Sequence, residues 1–338
     1  MSILKVKNLK AYYISQKYGR VNKVRAVDDV SFQVNKNEIY GIAGESGCGK
    51  STFLKAVNGL SKAPLQILEG EVLYEFENRK LDILALKQEK QRRKVRGAAI
   101  SNVPQGSMSV LNPVRRIEKS FRDFIGAHRK IEEKKEFENM VREHLHALGL
   151  EWDVMKAFPH QLSGGMRQRV TIALATILRP EIVFADEPTT ALDVVVQRGV
   201  VQLIKKIKEE QKNTVIMVTH DMAIHANLCD RMAIMYAGKI VEEGEVDTIF
   251  NEALHPYTRL LLESLPVMGD KSPRLSAPGS PPSLINVPPG CRFHPRCKEA
   301  TDRCKQEVPS LIQVGEGHRV ACFKEEVEYG NSSAETRA

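Results

Sequence analysis

The sequence predicts an α/β fold with a mainly parallel sheet, and three observations lead there. Residues 182–185 and 215–219 are short apolar runs of the kind found in fully buried strands, with a helical pattern over 194–210 between them. Strands that alternate with helices imply parallel pairing with crossover connections. An alternating strand pattern over 30–40 also runs through Gly41-Ile-Ala-Gly44 into a glycine-rich loop, and a helix follows over 50–59. The 338 residues are long enough for a large core plus a smaller appended unit.

Composition narrows the class. With 42% hydrophobic and 27% charged residues the chain reads as an ordinary globular protein. The apolar run over 170–178 is far short of the roughly 18 residues that span a bilayer. The start, Met1-Ser-Ile-Leu-Lys5, lacks the layout of a secretory signal. A cytoplasmic location is expected, with any membrane role coming through a partner. The net charge of +8 is densest over 87–96, where no aromatic residue interleaves as a base-stacking platform would require, so this segment reads as a solvated helix face.

The elements follow in order. Residues 3–8 alternate apolar and polar residues as a half-buried strand does, and 30–40 repeat the pattern. Residues 115–150 are charged and poor in β-branched residues. Phe124, Ile131, Phe137, Val141, Leu145 and Leu148 recur there at helical spacing, so the segment reads as a helical insertion. A further helix over 163–178 stops at Arg179-Pro180. Seven prolines between 266 and 289 mark a linker, four cysteines follow, and the polar end reads as disordered.

The glycine-rich loop, Gly44-Glu45-Ser46-Gly47-Cys48-Gly49-Lys50-Ser51, fits the phosphate-binding pattern G-x-x-x-x-G-K-[ST] and continues into Thr52. Its glycines let backbone N–H groups approach an anion, and the following helix N-terminus adds a favourable dipole. Lys50 reaches the β- and γ-phosphates of a nucleotide, and the Ser51 hydroxyl ligates Mg²⁺. The backbone of Cys48 does the binding there, and its position at a helix N-terminus predicts a lowered thiol pKa and sensitivity to alkylation. The strand ending in Asp186-Glu187 supplies the second half of the metal site: Asp186 holds Mg²⁺, and Glu187 orients or deprotonates the attacking water. Together with Leu162-Ser163-Gly164-Gly165-Met166, these motifs resemble the ATP-binding cassette (ABC) ATPases over most of residues 1–250.

The resemblance implies further roles. Gln105, in Val103-Pro-Gln105, is similar to the glutamine that touches Mg²⁺ and the attacking water. Ser163, Gly164 and Gly165 resemble the signature that closes on nucleotide held by another cassette, and Thr190-Ala-Leu-Asp193 resembles the loop that contacts that cassette. His220 resembles the histidine that contacts the γ-phosphate. Tyr13 is the candidate for stacking on adenine, with Tyr12 beside it and Tyr18 near; the alternative is that Tyr13 packs an edge strand. The implied fold is a P-loop NTPase core with a mainly parallel sheet, an antiparallel β edge region, a helical subdomain and a small irregular Cys-rich C-terminal extension. The expected domains are an ATPase domain over 1–255, with the helical subdomain at about 106–165, then a linker and start of extension over 256–290. A four-cysteine region over 291–325 and a disordered tail over 326–338 complete the chain.

Met166 in the signature, Asn112-Pro113, Phe158-Pro-His-Gln161 and His255-Pro-Tyr-Thr258 narrow the resemblance to the oligopeptide/dipeptide importer ATPases. Residues 106–111 lack the Asp-Pro usual after the glutamine loop, which leaves the cargo open among peptides, oligosaccharides and nickel. Cys291, Cys297, Cys304 and Cys322 follow the linker in the order C-x5-C-x6-C-x17-C. Four grouped thiols in a cytoplasmic protein argue for a metal centre over disulfides. They suit a [4Fe–4S] cluster, which the resemblance also implies; the alternatives are Zn²⁺, though the short C-x₂₋₄-C pair of structural zinc is absent, and unligated thiols or disulfides. His294 and His318 read as surface or supporting residues. Cys229 reads as a small buried apolar residue.

The function expected is ATP hydrolysis coupled to solute import from the cytoplasmic face of the cell membrane. The implied partners are a second, related ABC ATPase subunit in a heterodimer, two transmembrane permease subunits and, indirectly, an extracellular solute-binding protein. No nucleic acid partner is expected. The alternative is a soluble ABC ATPase acting on nucleic acid or ribosomes, but such proteins typically carry two cassettes or a long coiled coil, and this sequence has one P-loop and no extended heptads.

Overall fold

A computed structural model describes all residues except 18, 87, 107–109, 132, 191, 266–277 and 331–338. The first part of the chain forms β1 (Ser2–Lys17), β2 (Arg20–Asn35), β3 (Ile39–Ala43), α1 (Lys50–Val57), β4 (Leu65–Glu75), β5 (Lys80–Asp82), α2 (Glu89–Val95) and β6 (Ile100–Val103). The middle forms α3 (Ile117–Gly126), α4 (Lys134–Ala147), α5 (Gly164–Thr176), β7 (Ile182–Asp186), α6 (Val194–Gln211) and β8 (Thr214–Val218). Then come α7 (Met222–Leu228), β9 (Arg231–Tyr236), β10 (Lys239–Glu245), α8 (Val246–Asn251) and α9 (Pro256–Glu263). The C-terminal region holds α10 (Asp302–Gln306), β11 (Ile312–Gly315), β12 (His318–Val320) and α11 (Phe323–Gly330). Two compact units result, one built from Asn35–Ile39 and Phe76–Met217 with Met1, the other from Ser2–Val34, Tyr40–Glu75 and the described part of Val218–Ala338.

The second of these units contains the phosphate loop. All five residues of β3 are buried, as a strand covered on both faces requires. It pairs in parallel with β9, from Tyr40 opposite Arg231 to Ala43 opposite Ile234. Beyond β9 the pairing turns antiparallel, through β10 and β12 to β11. A separate sheet pairs β1 antiparallel with β4, which is the antiparallel β region expected. The strand pattern over 30–40 is interrupted: β2 ends at Asn35, and Asn37 turns the chain at φ 61° before β3 begins.

The other unit pairs β6 with β7 in parallel, Val103 opposite Ala185, and carries the helical insertion. In α3 the buried stripe is Ile117, Phe121 and Ile125; Phe124, expected on that stripe, is only half-buried. Helix α4 buries Phe137, Val141 and Leu145, as expected. In α2, Arg93 and Lys94 are exposed, in keeping with a solvated basic face.

Three expectations need correction. The sheets are mixed: the tight turns between β9 and β10 and between β11 and β12 force antiparallel pairing, and β12 also joins β10 antiparallel. The C-terminal extension is not irregular: β11 and β12 form a hairpin whose β12 pairs with β10, Glu242 opposite Val320. Residues 326–330, expected in the disordered tail, are the last turns of α11, and 331–338 lie outside the described residues. No described helix is long and apolar enough to cross a membrane.

Candidate functional site

The phosphate loop is shaped by what its glycines must clear. Gly44 (φ 147°) and Gly49 (φ 115°) would each drive a side chain into backbone, a Cβ landing 2.1 Å from the Met235 carbonyl oxygen and 1.9 Å from that of Ala26. Gly49 also caps α1 at its N-terminus in left-handed geometry. Between them Ser46 and Gly47 are exposed and Cys48 is buried. The Lys50 ammonium donates to the carbonyl oxygens of Gly44 at 2.7 Å and Glu45 at 3.0 Å, which fixes it along the loop. Burial pushes the Cys48 thiol up despite the attraction of Lys50 beside it. The expected low thiol pKa is therefore corrected: the side chain faces the interior, and desolvation outweighs the helix N-terminus.

Glu45 is held at three of its groups. Its N–H donates to Tyr257 Oη at 2.9 Å, its carbonyl receives Lys50, and its carboxylate takes both Nη atoms of Arg296 at 2.7 and 3.0 Å. Tyr12 and Tyr13 separate in role. The Tyr12 hydroxyl is buried and donates to Asp28, which also pairs with Arg292. Tyr13 is half-buried, and its hydroxyl accepts from Thr52 Oγ1 at 3.2 Å, which places it beside the loop. Tyr18 lies outside the described residues.

His220 follows the end of β8 and is exposed, with Asp221 capping α7 after it. The buried neighbour is His225, whose Nε2 lies 3.2 Å from the Thr219 carbonyl oxygen and whose Nδ1 lies 3.4 Å from Cys229 Sγ. Burial pulls its pKa down to about 4, so it is a neutral packing residue under β3. Cys229 is buried as expected.

In the other unit, Glu187 sits one residue past the end of β7, with φ 48°. A non-glycine residue there carries backbone strain of about 1–3 kcal/mol, a cost found mainly at functional sites. Gln105 Nε2 donates to Glu187 Oε2 at 3.1 Å, and Thr190 Oγ1 donates to the same oxygen at 2.8 Å. These contacts follow from topology: Gln105 and Glu187 leave the carboxyl ends of paired parallel strands, where α/β sheets place their ligands. Asp186 is the last residue of β7. Thr190 is the participant that sequence reasoning left without a role here.

The signature opens α5 in the same unit. Ser163 is its N-cap, with Oγ accepting from the Met166 N–H at 3.2 Å, worth about 1 kcal/mol. A Cβ on Gly165 would meet Val196 Cγ1 at 2.8 Å, so α5 and α6 approach closely. Val194 and Val195, at the start of α6, are 80% and 82% exposed, an unusual placement for two adjacent large apolar residues. Within the loop 190–193, Ala191 lies outside the described residues, as do 107–109 in the segment after Gln105.

The four extension cysteines line one cavity of about 560 Å³, walled also by Phe293 and Phe323. All four are free thiols. Burial pushes Cys291 up to about 11 and raises Cys297 and Cys322. Among the described residues no three His, Cys, Asp or Glu side chains converge closely enough for a single metal ion. The donor set is therefore four sulfurs spread around one apolar cavity, a poor fit to mononuclear Zn²⁺. His318 is engaged elsewhere, Nε2 to Glu242 Oε1 at 2.9 Å, while His294 lies 2.9 Å from the Cys291 carbonyl oxygen.

The chain is similar to known proteins along most of its length. Residues 27–190 match the family described as ABC transporter, and residues 241–304 match the oligopeptide/dipeptide transporter C-terminal region. The chain is 41% identical to the dipeptide transport ATP-binding protein DppD of Caldanaerobacter subterraneus subsp. tengcongensis, over 95% of this chain and 96% of that protein. It is 38% identical to the oligopeptide transport ATP-binding protein AppD of Bacillus subtilis, over 98% and 99% of the two chains. Its fold is similar to the dimeric ATP-binding cassette MJ0796 in a post-hydrolysis state bound to ADP and Pi, with a TM-score of 0.61 and 30% identity. That likeness covers 72% of this chain and 99% of the other.

Proposed function

The chain belongs to the family of ATP-binding subunits of oligopeptide and dipeptide ABC transporters, and from that premise we propose that it binds and hydrolyses ATP to power peptide import. The observation that carries the catalytic half is the Glu187 carboxylate, held by Gln105 and Thr190 at the carboxyl ends of two parallel strands. A carboxylate held by two donors at the carboxyl ends of these strands is placed to orient or deprotonate a water molecule. Lys50 and the N–H groups of residues 44–52 engage the phosphates. Ser51, Asp186 and Gln105 are the residues that would hold Mg²⁺, which when bound would supply positive charge to offset that of the phosphates. His220 contacts the γ-phosphate, and Tyr13 stacks on adenine.

The signature residues Ser163, Gly164 and Gly165 serve nucleotide held by a second, related subunit in a heterodimer. The exposed valines 194 and 195 support this reading, because water is an unfavourable permanent environment for them. Residues following Gln105 transmit closure to two transmembrane permease subunits, and the chain works as a peripheral protein on the cytoplasmic face of the membrane. An extracellular solute-binding protein selects the cargo. The match of residues 241–304 to a peptide-transporter region favours transport over work on nucleic acid or ribosomes.

Cys291, Cys297, Cys304 and Cys322 would hold a [4Fe–4S] cluster in this reading, and it would serve a structural duty. The support is a single apolar cavity lined by all four sulfurs. Uptake of labelled dipeptides, oligopeptides, oligosaccharides and nickel, compared with and without this chain, tests the assignment. Peptide uptake that depends on the chain is expected; dependence of another solute alone would overturn the cargo.

A further inference from the structure

Several side chains of the C-terminal extension reach back onto the body of the phosphate-loop unit. Arg292 pairs with Asp28, His318 with Glu242 and Arg319 with Glu243, all on strands. Arg296 differs, because its target, Glu45, lies in the phosphate loop itself.

The contact is built for rigidity. Arg296 donates through Nε to the Pro278 carbonyl oxygen at 2.8 Å and through Nη1 to Tyr236 Oη at 3.2 Å. Its guanidinium lies 5.8 and 6.0 Å from the ring centroids of Tyr236 and Phe293, and its side chain is only 6% exposed. The backbone turn that carries it is closed by the Arg296 N–H to the Phe293 carbonyl at 2.9 Å, with Cys297 following directly. A guanidinium immobilised in this way adds little entropy cost when it grips a carboxylate at both oxygens.

Glu45 relays that grip. Its carboxylate takes Arg296, its N–H is held by Tyr257, and its carbonyl oxygen accepts from the Lys50 ammonium. The three contacts leave Glu45 one position, and that position sets where Lys50 is presented. We propose that Arg296 is a positioning residue for the nucleotide reaction: acting through Glu45, it fixes the loop that presents Lys50, so the cysteine-lined extension forms a working part of the phosphate site. The proposal rests on the ATP reading of that loop and goes beyond it by assigning a part to the extension.

A double-mutant cycle in the full-length chain within its native membrane complex tests it, reading KM for ATP and kcat separately. Arg296→Ala is expected to raise KM about tenfold and leave kcat at saturating ATP within about twofold, because the loop holds ground and transition states alike. Glu45→Gln, which leaves the extension intact, is expected to raise KM in the same direction. The double variant is expected to be no worse than the weaker single, since both changes cut one link. Lys305→Ala, at an exposed pair on α10, keeps the wild-type KM. If Arg296→Ala fails to fold, Glu45→Gln is read alone. A wild-type KM in Glu45→Gln, or effects that add in the cycle, would overturn the proposal. Lys50→Ala separates the two readings: binding lost there with Arg296→Ala unaffected defeats the positioning role alone, whereas wild-type binding in Lys50→Ala defeats the nucleotide reading and the proposal with it.

Discussion

Gln105 and Glu187 leave the carboxyl ends of two paired parallel strands and meet at 3.1 Å, amide to carboxylate. The meeting brings together residues 82 positions apart in sequence. It also accounts for the left-handed backbone of Glu187, which the turn to Thr190 stabilises with a second hydrogen bond to the same carboxylate oxygen.

Gly49→Ala tests the loop. Its Cβ would overlap the Ala26 carbonyl oxygen, and the backbone would remain at φ 115°. The expected cost is roughly 2–4 kcal/mol of stability, with a large loss of ATP affinity. Urea titration with and without Mg-ATP checks both terms. Wild-type stabilisation by nucleotide in the variant would contradict the account of the loop.

Acid should destabilise the fold well above the carboxylate range. His144, His225 and His255 are each held neutral by burial, with pKa values near 4 against an ordinary 6.5. Around His225 the facing charges are Asp221, which opposes the shift, and Lys50, which adds to it. Between pH 6.5 and 4 the unfolded chain binds protons that the folded chain does not, so stability falls as pH falls through that window. Each histidine contributes up to about 1.4 kcal/mol per pH unit. Asp28 extends the loss to lower pH. Burial alone would raise its carboxyl, but the Tyr12 hydrogen bond and the Arg292 charge hold it below its ordinary value, so its contribution disappears as pH falls through that depressed value. A urea midpoint that is flat from pH 7 to 4 would contradict this.

Anaerobic purification is expected to yield a coloured protein with stoichiometric iron and sulfide, and Cys291→Ser and Cys304→Ser should each lose them. Their thiols share one cavity, so neither can be spared. A colourless, iron-free wild type would remove the cluster from the account.

Much of this site is legible in the sequence because its chemistry is local. The phosphate loop uses contiguous backbone N–H groups, so a short motif carries the geometry as well as the residue types. Glu187 is legible as one of two carboxylates ending an apolar strand, whereas Gln105 is legible only through family resemblance, and nothing in either local segment points to the other. Arg296 and Glu45 are 251 positions apart, and although both stand in quotable motifs, a motif gives no direction for a side chain. The hairpin β11–β12 has strands of four and three residues, too short for a period to register. In α3, Phe121 and Phe124 both satisfy helical spacing, and only packing selects Phe121. The antiparallel return from β9 to β10 follows from their short connection, which a reading of alternating strands and helices does not weigh.

The role proposed for Glu187 is to drive ATP hydrolysis in this chain. The most direct measurement is ATP turnover and ATP binding by Glu187→Gln in the membrane complex, alongside the wild type. The account predicts normal binding with turnover reduced by roughly 10² or more. Undiminished turnover would contradict it.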